Sequence, residues 1–94
     1  MKMKLIADKF TARGFKLAGI DTILANQATD LKKLFQETLD DEDLAILFIT
    51  EEKAKQIADL IRKHKMESEM PLIVEIPDKE GWQERGKVLN LINR

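Results

Sequence analysis

The spacing of apolar and polar residues divides the chain into alternating short elements. Leu44-Ala45-Ile46-Leu47-Phe48-Ile49 is an unbroken apolar run. A strand wetted on one face alternates apolar with polar, so this run predicts a strand covered on both faces, central in a parallel sheet. It is too short to span a bilayer, which takes about 20 apolar residues as a helix. Met3 to Asp8 predicts a first strand through Leu5-Ile6-Ala7. Lys9 to Ala18 follows as a short helix carrying Phe10 and Phe15, with Gly19 placed as its C-cap. Ile20 to Ala25 is a weaker strand, expected at a sheet edge. Leu31, Leu34, Phe35, Thr38 and Leu39 recur at helical spacing and predict a helix over 31–39, capped by Thr29 or Asp30.

After the central strand, Thr50 stands where an N-cap belongs. Glu51 and Glu52 occupy the first turn, where the helix dipole favours anions. Ala54, Ile57, Ala58 and Ile61 make the inward stripe of a helix from Glu51 to Lys65. Arg62, Lys63, His64 and Lys65 load its end, as the dipole also prefers. Leu72 to Ile76 is a strand between Pro71 and Pro77, a position that a strand's first residue tolerates as proline. Asp78-Lys79-Glu80-Gly81 is a turn, and Glu84 to Asn93 predicts a last helix. The order is β-α-β-α-β-α-β-α. Such alternation predicts an α/β fold: one three-layer domain over 1–94, with a four-stranded parallel sheet in the order 2-1-3-4 and helices on both faces.

Composition narrows the function. The chain has 94 residues, 44% of them apolar and 35% charged, enough for one modest core under a well-solvated surface. Sixteen basic and seventeen acidic residues give a net charge of -1, without the basic excess of a nucleic-acid binder. There is no cysteine, hence no disulfide and no thiol chemistry. Met1-Lys2-Met3-Lys4 leads straight into a short apolar strand rather than a secretory leader, so a cytoplasmic location is expected.

The carboxyl ends of the first and third strands form the switch point, where this architecture binds ligands. Asp8, Lys9, Thr50 and Glu51 stand there. Asp8 and Glu51 have the composition of an acid/base pair. Their plainer role is to cap or flank helix N-termini, and the surrounding residues favour that role. Asp8-Lys9-Phe10-Thr11-Ala12 contains no glycine-rich phosphate loop. His64, the single histidine, sits among basic residues and reads as a solvated helix end. Asp40-Asp41-Glu42-Asp43 reads as a solvated turn rather than a metal site. A receiver domain needs a phosphorylatable aspartate at the end of the third strand, and Thr50-Glu51 stands there instead. Neither a catalytic centre nor a cofactor or metal site is therefore expected. A small enzyme or ligand-binding domain using the Asp8/Thr50 cleft is the rival reading. Val88, Leu89, Leu91 and Ile92 spread over an arc of about 160° on a helical wheel, wider than one sheet-facing stripe. The plainer reading is a short helix tucked against its own domain and the sharper one is that Leu89 or Leu91 faces a partner; Trp82, in the loop before it, either fills a core edge or anchors an interface.

Three stretches carry a resemblance: Gly14-Phe15-Lys16-Leu17-Ala18-Gly19-Ile20, Phe48-Ile49-Thr50-Glu51, and Pro71-Leu72-Ile73-Val74-Glu75-Ile76-Pro77 with Gly81 after it. Together, in this order and over nearly the whole chain, they resemble the F subunits of the V-type and A-type rotary ATPases. Ala7-Asp8 departs from the Gly-Asp often found there in that family, and the segment between Gly81 and the last helix is short. The resemblance implies a non-catalytic part of the central rotor stalk. Such a part lies beside the coiled coil of the D subunit, turns inside the catalytic head of A and B subunits and meets the connecting subunit above the membrane ring. It implies coupling of ATP hydrolysis or synthesis to ion translocation, modulation of ATPase activity, and a place peripheral to the membrane without insertion. On this reading the expected contact residues are Glu51, Lys55 and Lys63 on the third helix, with Trp82, Leu89, Leu91 and Ile92 towards the end of the chain.

Overall fold

In the computed structural model, residues 2–17 and 19–77 are described. Their elements are β1 (Lys2–Ala7), α1 (Lys9–Leu17), β2 (Asp21–Leu24), α2 (Leu31–Leu39), β3 (Leu44–Thr50), α3 (Glu51–Gln56), α4 (Ala58–Glu67) and β4 (Leu72–Ile76). The final helix expected over 84–93 lies outside the described residues.

The four strands pair in the order β2-β1-β3-β4, and every pairing is parallel. Ile6 is in register with both Ile23 and Ile49. Phe48 is opposite both Leu5 and Val74. The weak second strand is an edge, as its pattern predicts. The unbroken apolar run is the inner strand β3, whose residues are all buried or half-buried. The other edge, β4, is short, is bracketed by Pro71 and Pro77, and exposes Glu75, features that discourage pairing with a further strand.

Side-chain alternation along the strands sends two apolar sets to opposite faces. Ile6, Leu47, Ile49 and Ile73 pack with Leu31 and Phe35 of α2, Ala54 of α3, Ile57 between α3 and α4, and Ile61 of α4. Leu5, Ala7 and Ile76 face the other way, with Phe15 of α1, Ile20, Phe48 and Val74 against them. The sheet is thus the middle of three layers. Leu5, Ile6, Leu47 and Ile49 are fully buried, and burying a side chain of this kind contributes about 1.5–3 kcal/mol.

Local chemistry fixes the helix ends. Gly19 has φ 82°, a left-handed conformation that costs an L side chain and costs glycine nothing. The Gly19 N–H donates to the Lys16 carbonyl at 3.0 Å and the Ile20 N–H to that of Phe15 at 3.3 Å. These two bonds close the end of α1 as a Schellman motif, with Ile20 and Phe15 packed on the same core. The Lys33 N–H donates to Asp30 Oδ1 at 3.2 Å, so Asp30 is the cap of α2. Thr29 instead closes the preceding turn, accepting from the Asn26 N–H at 3.0 Å.

The structure differs from the sequence-based expectation at four places. The helix expected from Glu51 to Lys65 is two helices, interrupted at Ile57, which has φ -127° and ψ 32°. The interruption keeps Ala54, Ile57 and Ile61 inward but turns Ala58 to solvent. Thr50 has the extended backbone of an N-cap, yet its hydroxyl makes no cap bond. On α1, Thr11 and Ala12 are buried beside Phe15, while Phe10 is 60% exposed. His64 is not a solvated helix end: its Nε2 lies 2.8 Å from the Pro71 carbonyl oxygen, and its ring stands edge-on to Phe35 at 6.5 Å. It ties α4 to the chain that leads into β4.

Candidate functional site

The switch point lies between β1 and β3, and Asp8 and Thr50 stand at the carboxyl ends of those strands. Asp8 is fully engaged there. The Thr11 N–H donates to its Oδ1 at 2.8 Å, and the Thr11 hydroxyl donates to its Oδ2 at 3.2 Å. Its carbonyl accepts the Ala12 N–H at 3.0 Å, the first bond of the helix. Asp8 is therefore the N-cap of α1. A general base needs a free lone pair aimed at a substrate, and both of its oxygens point at the helix it starts. Thr50 is fully buried, and its Oγ1 finds no hydrogen-bond partner among the described residues. Glu51 is half-buried and opens α3, and Lys9 is exposed at the start of α1. The acid/base composition seen in sequence thus resolves into a cap and a helix start.

Elsewhere the surface is polar and of mixed sign. Among the described residues, no three His, Cys, Asp or Glu side chains converge as metal ligands. Asp41 accepts from the Asp43 N–H at 3.0 Å and lies 3.2 Å from Lys4 Nζ and 3.4 Å from Lys2 Nζ. The Asp43 N–H, then Lys4 and Lys2, hold its carboxyl below the ordinary carboxylate range. This cluster fastens the acidic turn to β1. It is a structural clasp at the amino ends of the strands, opposite the switch point.

Two open hollows lie along α3 and α4. One, of about 340 Å³, runs beside the helix interruption between Lys32 of α2 and Lys55 of α3, with Ile57, Asp59 and Leu60 in its wall. The other, of about 250 Å³, lies between Ile61, Arg62 and Lys65 of α4 and Glu75 of β4. Neither includes Asp8 or Thr50. Lys55 and Lys63 are both exposed on this outer surface, while Lys53 is buried. Arg62 reaches Asp59 one turn away at 3.2 Å, an exposed pair worth a few tenths of a kcal/mol. Lys55 on α3 and Lys63 on α4 are thus each exposed, on helices separated by the interruption at Ile57, and Glu51 is half-buried at the start of α3. Trp82, Leu89, Leu91 and Ile92 lie outside the described residues.

The His64–Pro71 tie and the interruption at Ile57 have no sequence signal of their own. The first depends on where β4 returns beside α4. The second falls inside an apolar stripe whose spacing suits a continuous helix.

Residues 3–92 match the family described as ATP synthase (F/14-kDa) subunit. The chain belongs to that family. It is similar to the A-type ATP synthase F subunit of Methanocaldococcus jannaschii, 37% identical over 86 residues, covering 90% of this chain and 83% of that one. It is similar also to the A-type ATP synthase F subunit of Thermococcus kodakarensis, 31% identical over 99 residues, covering all of this chain and 91% of the relative. A bacterial relative, the V-type ATP synthase F subunit of Fusobacterium nucleatum, is 30% identical over 80 residues, covering 85% and 74%. The archaeal and bacterial relatives together bear out the resemblance carried by the three sequence stretches. For a member of the F/14-kDa family, an occupied helix cap at the switch point and a polar helical flank are the features to interpret. Among the described residues, no helix is long and apolar enough to cross a membrane.

Proposed function

We propose that this chain is a non-catalytic component of the central rotor stalk of an A/V-type rotary ATPase. It binds the coiled coil of the D subunit, couples ATP hydrolysis or synthesis in the head of A and B subunits to ion translocation, and modulates the ATPase. It meets the connecting subunit above the ring and stays peripheral to the membrane on the cytoplasmic side. One observation carries this reading: a family match spanning 3–92 belongs to a chain whose switch-point carboxylate is spent on capping α1. A rotor part must transmit torque. A sheet with an apolar core packed on each face, tied at Asp41 and His64, is a stiff body for that task.

The contact surface on this reading includes the outer flank of α3 and α4, with Glu51, Lys55 and Lys63, and the later residues Trp82, Leu89, Leu91 and Ile92. Exposed charges of both signs suit the polar flanks of a coiled coil, and apolar anchors set the docking. The test is size-exclusion chromatography of the chain mixed with a D subunit from the same organism. A single shifted peak is expected. The double substitution Lys55→Glu with Lys63→Glu should weaken the complex about tenfold or more by charge reversal at the rim. Two unshifted peaks for the wild-type mixture would refute the stalk assignment. An unweakened complex in the double variant would move the contact off this helical flank.

A further inference from the structure

The outer face of α1 is composed against the helix's own stability. Lys9, Arg13 and Lys16 are exposed. At 100° per residue they fall within an arc of about 60°, opposite Thr11, Ala12 and Phe15, which turn to the core. The helix itself contains no acidic residue. The ion pairs among the described residues use Lys2, Lys4 and Arg62, and no cation of α1. Like charges at i and i+4, as at Lys9 and Arg13, weaken a helix, and a cation in the first turn opposes the helix dipole. Gly14 is exposed on the same side, and a Cβ added to it would meet no described atom within 4 Å. Its φ is not positive, so alanine would fit there and hold the helix better. Three local choices thus oppose the fold with no return inside the chain, which is the pattern of a surface kept for function.

We infer that this face docks an acidic helix of a neighbouring subunit, with the partner's backbone close to Gly14 and its Asp and Glu side chains over Lys9, Arg13 and Lys16. Charge complementarity selects that occupant. The whole chain has a net charge of -1, yet this one face gathers three cations. From Lys9 to Lys16 the stripe runs about 10 Å, two helical turns, the length over which a partner helix repeats carboxylates at i, i+4 and i+7. Gly14 stands between Arg13 and Lys16 and has no side chain to hold a partner's backbone away. Phe10, 60% exposed and one turn before Gly14, adds an apolar contact beside the stripe. Three cations fall short of the roughly four to eight that mark a segment held on anionic lipid. A nucleic acid calls for a basic excess that the chain lacks. A second copy is a poor match, since none of the described helices carries acidic residues at i, i+4 and i+7. The surface is separate from the flank of α3 and α4. The inference rests on the chain being a subunit of the complex and not on which subunit receives it.

The test uses the assembled complex. The chain has no cysteine, so Arg13→Cys gives it a single thiol on the stripe, and Gln36→Cys gives a comparison on the exposed side of α2. Maleimide labelling of each is timed by mass in the free chain and in the complex. Assembly should slow labelling at position 13 several-fold more than at position 36. A benzophenone maleimide at position 13 should then cross-link, on illumination, to a helical segment rich in Asp and Glu in another subunit. Labelling at position 13 that slows no more than at 36, inside an intact complex, overturns the inference and leaves the subunit assignment standing. A chain that joins no complex defeats both. Cross-links to a second copy, or to a segment without carboxylates, also overturn the inference. Two variants separate docking from folding. Gly14→Ala should raise the Tm of the free chain by about 3–5 °C while weakening its retention in the complex. Lys9→Glu with Lys16→Glu should leave the free chain folded and weaken retention about tenfold at low salt. Normal retention of both variants refutes docking at this face. Co-sedimentation of the wild-type chain with phosphatidylglycerol vesicles, lost in the double reversal, would overturn the inference in favour of a membrane surface.

Discussion

Replacing Asp8 tests whether the switch point holds a cap or a chemical group. Asp8→Ala removes the acceptor of the Thr11 N–H, bonded at 2.8 Å, and of the Thr11 hydroxyl at 3.2 Å. Loss of an N-cap side chain costs about 1 kcal/mol, and the second bond adds up to about 1 kcal/mol, giving about 1–2 kcal/mol in all. Unfolding entropy of about 2.1 cal/mol/K per residue over a chain of 94 residues is about 0.2 kcal/mol/K. The melting temperature should therefore fall by about 5–10 °C, read by circular dichroism. Asp8→Asn keeps an oxygen in the place of Oδ1 and is as good a cap in general, so it should stay within about 0.5 kcal/mol of wild type. In Asn the second oxygen becomes an NH2 that donates to the Thr11 hydroxyl, where Oδ2 accepted from it, so this contact survives with its direction reversed and only the charge and that direction change. A Tm drop as large for Asn as for Ala would refute the capping argument. So would an Asp8→Ala variant with unchanged stability and lost activity of the assembled complex.

The remaining predictions concern other sites. Thr50→Val removes a buried hydroxyl without a described partner and should stabilise the chain by up to about 1 kcal/mol in urea unfolding; a loss of more than about 1 kcal/mol would mean that the hydroxyl is paired. Asp41 has a folded pKa below its unfolded one, so its stabilising effect is full above the ordinary carboxylate range and fades as pH falls through the folded value. Asp41→Asn should accordingly lower the urea midpoint at about pH 7 and leave it close to wild type at about pH 2, and an equal deficit at both would refute the charge argument.

The fold was legible because period and length agree. Six apolar residues from Leu44 to Ile49 are too few for a buried helix and too uniform for an edge, and they form the inner strand. The alternation of elements then left few topologies, and the parallel order β2-β1-β3-β4 is one of them. Gly19 was readable because only glycine takes φ 82° freely. Tertiary detail was not readable. The inward stripe on the third helix suits a continuous rod, whereas the chain breaks it at Ile57 to seat both halves on the sheet. His64 looked solvated because its partners, Phe35 and Pro71, are distant in sequence and meet it only after β4 docks. At the candidate site, the strand order alone places Asp8 and Thr50 at neighbouring carboxyl ends, and the structure has them there. The engagement of Asp8 follows from one local geometry: a carboxylate at N-cap has its oxygens drawn to the residue three places on. The contact residues past Pro77 rest on sequence pattern and family.

The all-parallel sheet has a consequence for how the chain acquires its shape. Among the described strands, no two neighbours are joined by a hairpin, and β1 meets β3 only after some 40 intervening residues have been gathered in. Each pairing waits on a helical crossover, so no two-stranded fragment can nucleate cheaply and loop-closure entropy is spent before contacts return it. Assembly should be slower than in a helical bundle of equal length, on the scale of milliseconds to seconds, and a chain released half-made would expose Leu44 to Ile49 as a bare ribbon.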